Sequence, residues 1–151
     1  MRNPQAYYSR CPASGFYILE YNDRLIGLIA LDASPPPSSD LPPSRTPVDT
    51  ALIRHFHVEE AYRVSGVQSS LLEYAVSRAF SATSSRPRRV RAVSSALDAY
   101  KGDALRTAGF HPASHWDSDE QEEWKVGVFG WKNRWVEVTR NEWDARSSKE
   151  Q

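Results

Sequence analysis

At 151 residues, with 19 basic and 19 acidic side chains and one cysteine, the chain has the length and composition of one soluble globular domain. A net charge of +0 removes any global electrostatic reason to expect nucleic acid or an anionic membrane as partner. Cys11 alone can form no internal disulfide and no cysteine metal site, and no apolar run reaches the length of a membrane span.

Residues 1–14, with Pro4 and Pro12, form an irregular lead-in that lacks the apolar core of a signal peptide. Phe16 to Tyr21 is aromatic and branched, which predicts a strand. The polar turn Asn22-Asp23-Arg24 and a second apolar run, Leu25 to Ala33, complete a β-hairpin. Gly27 marks a bulge or a close backbone approach. Residues 34–50 hold Pro35, Pro36, Pro37, Pro42, Pro43 and Pro47, a run that neither joins a sheet nor continues a helix, so a proline-rich loop is expected.

Ala51 to Val58 reads as a strand. Strict alternation places Leu52, Arg54, Phe56 and Val58 on one face and Ile53, His55 and His57 on the other. Val67, Leu71, Leu72, Ala75, Val76, Ala79 and Phe80 recur at helical spacing, and Val90 to Ser94 is a further strand. Strand, helix and strand at this spacing imply a crossover between two parallel strands. A second helix starts near Asp98, a plausible N-cap, and stops at Gly109. Phe110 to Trp116 is expected as a strand and Asp117 to Glu123 as an acidic loop. Trp124 to Val138 is expected as a long or bent strand broken near Gly130, with Trp124, Val126 and Val128 opposite Phe129, Trp131 and Trp135. Thr139-Arg140-Asn141-Glu142 fits a capping box, so residues 139–151 form a tail or a short helix carrying Trp143.

The turn Tyr62 to Gln68 lies between the Val58 strand and the helix of residues 67–80. A strand, a polar turn with Arg63 and Gly66, then a helix can build an anion site, because the first helical N–H groups have no partner within the helix. Gly66 allows close backbone approach and Arg63 adds a cation. The passage Phe56 to Leu72 resembles the acetyl-CoA signature of the GNAT superfamily of acyltransferases: a strand ending in Val58, then Tyr62-Arg63, two variable residues, Gly66, and Gln68 where the family has Gly or Ala. The ending Leu105 to Phe110 is similar to the family as well, and the resemblance runs from about Phe16 to Phe110. It implies an α/β (α+β, mixed-sheet) fold with splayed central parallel strands over one domain, residues 1–151. The family's first strand and first two helices have little room before Phe16, so the chain looks N-terminally short.

The resemblance further implies transfer of an acetyl group from acetyl-CoA to a primary amine. Val64, Ser65, Gly66, Val67 and Gln68, with Arg63, are the expected pyrophosphate site. Phe56, His57 and Val58 are the expected contacts for the pantetheine arm. His57 and Glu59 are the candidate bases, since the amine must lose a proton. The family's acid Tyr falls on Leu105, which carries no proton, and its helix-starting Asn falls on Asp98. His55 and His57 share a strand, but no third ligand of convincing spacing accompanies them, so no metal is expected. The alternative is a catalytically degenerate binding or scaffolding module, with a protein partner or a second copy. An intracellular, cytoplasmic setting is expected, or the soluble part of a membrane-associated protein.

Overall fold

Tyr21 and Arg24 close a two-residue hairpin through Asn22 and Asp23, both in the left-handed region (φ 49° and 58°) that Asn and Asp tolerate. The strands it joins are β1 (Gly15–Tyr21) and β2 (Arg24–Asp32), antiparallel with a bulge at Ile26. A computed structural model of the chain describes residue 8 and residues 11–33, 49–83, 86–113, 123–126 and 130–148. The proline-rich segment, nearly all of the lead-in before Cys11, the acidic loop up to residue 122, and the face assignments of Trp124, Val126, Val128 and Phe129 lie outside what is described.

The sheet continues with β3 (Thr50–Val58), β4 (Arg89–Ser95), β5 (His111–Pro112), β6 (Glu123–Val126) and β7 (Trp131–Thr139). Its order is β1-β2-β3-β4-β7-β5, with β6 also paired to β7. All described pairings are antiparallel except β3 with β4. The long strand expected over Trp124 to Val138 is two strands, β6 and β7, and Gly130 sits in the turn between them with φ 63°. The strand expected from Phe110 to Trp116 is paired only at His111 and Pro112 among the described residues.

Helices α1 (Glu60–Arg63) and α2 (Val67–Ser81) link β3 to β4, α3 (Ala99–Thr107) follows β4, and α4 (Arg140–Ser147) follows β7. The apolar stripe of α2 is buried as its spacing predicts: Leu71, Leu72, Ala75, Val76, Ala79 and Phe80. They join Ile29, Leu31, Val58, Val90 and Val138 in one core. Each fully buried aliphatic side chain of this kind contributes about 1.5–3 kcal/mol relative to exposure. Gly27 lets α2 sit close to the sheet, since a Cβ there would lie 3.3 Å from a Leu71 methyl and 3.2 Å from the His57 carbonyl.

Helix α3 ends in a Schellman motif: Phe110 N–H donates to the Leu105 carbonyl and Gly109 N–H to that of Arg106. The capping box of α4 is present, with Thr139 accepting from Glu142 N–H and Glu142 accepting from Thr139 N–H. Trp143 is buried and faces Phe80 at 6.3 Å between ring centroids, which fixes α4 against α2.

Candidate active site

The parallel pairing of β3 and β4 is short. It covers Thr50 with Arg89, Ala51 with Val90 and Leu52 with Arg91, and then stops. Beyond that point β3 runs on to Val58 against β2 alone, and β4 runs on to Ser95 against β7 alone. The two strands therefore diverge, and among the described residues the edge of β3 from Ile53 onward has no strand beside it on that side. Between them lies a cavity of about 210 Å³. Ile53, Phe56, Ala92 and Leu105 give it apolar walls, while Arg54, Asp98 and Lys101 add charge.

Strict alternation in β3 does not hold. His55 pairs with Ala30, but the next partner, Leu31, meets Ile53, so Arg54 is an inserted residue opposite no partner. The bulge shifts the phase of the strand. Ile53, Phe56 and Val58 all point into the core, whereas Arg54, His55 and His57 are exposed. Sequence periodicity placed Arg54 with Phe56 and Val58; the extra residue separates them. The bulge also sets Arg54 against Asp32 of β2, with Nε 3.6 Å from Oδ2 and the carboxylate buried.

At the end of β3 the turn satisfies part of its own backbone. The N–H groups of Val64 and Ser65 reach the Tyr62 carbonyl, and Gly66 N–H reaches that of Arg63. Val67 and Gln68, the first residues of α2, have N–H groups with no backbone acceptor among the described residues. Gly66 caps this helix at φ 77°, and a Cβ placed on it would meet nothing within 4 Å, so the space over the turn is open. Gln68 turns its side chain inward: its Oε1 is buried with no hydrogen-bond partner among the described residues.

Arg63 is held at two points. Its Nε donates to the Val58 carbonyl at 2.9 Å, and its Cζ stands 3.9 Å above the Tyr100 ring. The Val58 carbonyl, a candidate contact for the pantetheine arm, is thus engaged by Arg63. Tyr100 belongs to α3, and its hydroxyl is buried without a partner among the described residues. Asp98 stands at the N-cap of α3 but makes no side-chain cap bond; its Oδ2 accepts from Lys101 Nζ at 2.7 Å instead.

Neither His57 nor Glu59 lines the cavity. His57 is exposed on β3, and Glu59 lies 3.9 Å from Arg24. Phe56 does line it, from within the core. Sequence periodicity set Arg54 on the face of Phe56 near the splay, and both border the cavity. The charged lining residues that periodicity did not bring there are Asp98 and Lys101, which follow from α3 packing over the end of β4.

A model of the acetyltransferase (GNAT) family matches residues 1–101. The chain belongs to the GNAT acetyltransferase family. Acyl transfer with acetyl-CoA as donor is the general chemistry of that family. Among curated proteins, none matches the sequence. Solved structures show the same GNAT fold at low identity. A GNAT acetyltransferase from Streptococcus pneumoniae is 14% identical with a TM-score of 0.64, over 87% of this chain and 70% of its own. A spermidine N-acetyltransferase variant from Vibrio cholerae is 12% identical with a TM-score of 0.62, over 95% and 76%. The IAA acetyltransferase from Bacillus cereus is 16% identical with a TM-score of 0.58, over 89% and 81%. Of the positions singled out by the resemblance in the sequence, Gly66 caps α2, Arg63 ends α1, and Leu105 is a buried wall of the cavity.

Proposed function

We propose that this protein is an N-acetyltransferase that moves an acetyl group from acetyl-CoA to a primary amine at the splay between β3 and β4. The observation that carries the reading is the end of parallel pairing at Leu52 and Arg91, which leaves a strand edge unpaired among the described residues and leading to the Gly66 turn. The residues present fit the cofactor. The space over Gly66 is open, the Val67 and Gln68 amides are unpaired among the described residues, and Arg63 is an anchored cation beside them.

In this reading Val67, Gln68 and Arg63 hold the diphosphate, while Val64, Ser65 and Gly66 shape the turn. Phe56, His57 and Val58 present the strand edge to the pantetheine arm, with Arg63 yielding the Val58 carbonyl. Acetyl-CoA supplies an acetyl group activated as a thioester. The apolar walls Ile53, Phe56, Ala92 and Leu105 exclude water from the reacting end. The amine must be neutral to attack. His57 and Glu59 are the proposed proton acceptors, through water, because neither borders the cavity.

Two observations favour a second reading, a GNAT-fold module that binds without catalysis: the Val58 carbonyl is already taken by Arg63, and the expected acid position holds Leu105. Thiol release from acetyl-CoA, assayed against a panel of primary amines, separates the two. Amine-dependent release is expected. Release at the amine-free rate with every amine leaves the second reading.

A further inference from the structure

We infer that Arg54 selects the acceptor, and that the acceptor is an amine carrying a carboxylate; this rests on the acetyltransferase reading of the same cavity. The bulge in β3 leaves Arg54 out of the β2–β3 register, and the side chain borders the cavity between the diverging strands. A bulge re-aims a side chain without disturbing the strand on either side, and such re-aiming recurs beside binding sites.

The surroundings of Arg54 are those of an oriented recognition group. Its side chain is half exposed, while the Asp32 side chain facing its Nε is 5% exposed. Asp32 therefore steadies the guanidinium from inside the sheet and is itself out of a ligand's reach. Among the described residues no hydrogen bond occupies the Arg54 guanidinium, whose nearest carboxylate oxygen is Asp32 Oδ2, 3.6 Å from Nε. A half-exposed guanidinium with its donors free matches the planar two-oxygen edge of a carboxylate.

The remaining charges of the cavity support the same choice. Lys101 and Asp98 neutralise one another at 2.7 Å, and Asp32 lies buried behind Arg54, so the half-exposed Arg54 guanidinium is the charged group left to meet a ligand in the cavity. A polyamine would bring like charge against it. At about 210 Å³ the cavity is below the usual range for drug-sized ligands, so a small acceptor fits its scale.

The test measures thiol release from acetyl-CoA with amino acids, the matching amino-acid amides, spermidine and phosphoethanolamine. For the best acceptor, kcat/KM should favour the free carboxylate over its amide by about 10–100-fold, as expected for a charge-assisted contact. The double variant Asp32→Asn with Arg54→Gln, which removes both members of the ion pair, should shrink that gap to within about threefold. Arg54→Lys should restore part of it. Equal or better use of the amides or of spermidine overturns the inference, and so does a gap that survives in the double variant. A preference for phosphoethanolamine over every amino acid overturns the carboxylate assignment.

A second readout needs no turnover. Titration of the protein alone with N-acetylated amino acids, followed by NMR, should move the Arg54 Nε–H signal, whereas the N-acetyl amides should leave it in place. If neither set moves it, Arg54 is not the recognition group, whatever the activity. If the amino-acid products move it but no amine supports thiol release, the acetyltransferase reading fails while the carboxylate site stands.

Discussion

The Arg63 guanidinium lies 3.9 Å above the ring of Tyr100, and this contact bridges the two arms of the splay. Arg63 follows β3 and Tyr100 follows β4, so the two strands that part after Leu52 and Arg91 are rejoined by one cation–π pair. The same guanidinium donates to the Val58 carbonyl.

The ring, not the hydroxyl, is what positions Arg63. Tyr100→Phe should keep CoA affinity within about twofold and leave stability unchanged or slightly higher, because it removes a buried hydroxyl that has no partner among the described residues. Tyr100→Leu should weaken CoA binding by about 2–30-fold, the range of a cation–π contact. Calorimetric titration of CoA into both variants checks this. A loss of turnover in Tyr100→Phe at unchanged affinity would instead make the hydroxyl a proton donor.

Gln68 lies at the start of α2, close to Gly66, in the turn proposed to seat the diphosphate. A buried amide oxygen without a partner is destabilising by about 1–3 kcal/mol. Gln68→Ala should leave the melting temperature unchanged or raise it, and CoA should bind at least as tightly. A drop of several degrees would show that the Gln68 side chain supports the start of α2 through contacts that outweigh its orphaned oxygen.

Much of this was legible in the sequence for physical reasons. The α2 stripe, the Asn22-Asp23 turn, the Gly109 stop and the Thr139–Glu142 box are local signals, and each took the form its residues dictate. The turn around Gly66 was legible too, because a positive-φ cap before a helix favours glycine. What did not show was register. The extra residue at Arg54 changes which β3 side chains share a face, and only pairing with β2 reveals it. Nor could composition show that Arg63 would fold back onto Val58, since that contact depends on where α3 sets Tyr100.

Inside the sheet, Arg91 and Glu137 form a buried pair at 2.7 Å, with Arg89 3.9 Å from the same carboxylate oxygen. Glu137→Gln removes the charge that offsets Arg91. Breaking a buried pair from one side is destabilising by about 3–5 kcal/mol, so urea unfolding should shift to a lower midpoint at similar slope. Replacing both partners, Arg91→Met with Glu137→Met, should recover much of that loss. A double variant as unstable as the sum of the two singles would contradict the coupling.

His111 and Glu142 make the α4 cap sensitive to pH. The Pro112 carbonyl, bonded to His111 Nδ1, raises the His111 pKa first, and Glu142 adds to it. The Thr139 hydroxyl and amide lower the Glu142 pKa, with His111 contributing further. A raised His111 pKa stabilises the fold fully below the ordinary histidine value, and that contribution is lost as pH rises through the folded value. A lowered Glu142 pKa stabilises the fold above the ordinary carboxylate value, and that contribution is lost as pH falls through the folded value. The cap is therefore strongest between the ordinary values of the two groups. Both side chains are partly exposed, so the effect is that of a surface pair, at most about 2–4 °C in melting temperature. His111→Ala should flatten the dependence on the high-pH side of that window. A profile identical to that of the unaltered chain would remove His111 from the account.

The most direct test is the affinity of CoA for the folded chain and for Gly66→Ala, measured by calorimetry. A Cβ on Gly66 meets no protein atom, so the protein bears only the strain of a left-handed alanine, about 1–2 kcal/mol. A phosphate seated on the turn would meet that methyl group. The account predicts measurable CoA binding to the unaltered chain and a loss of about tenfold or more in the variant while it remains folded. Equal affinity in the two proteins, or no heat at millimolar CoA, would contradict it.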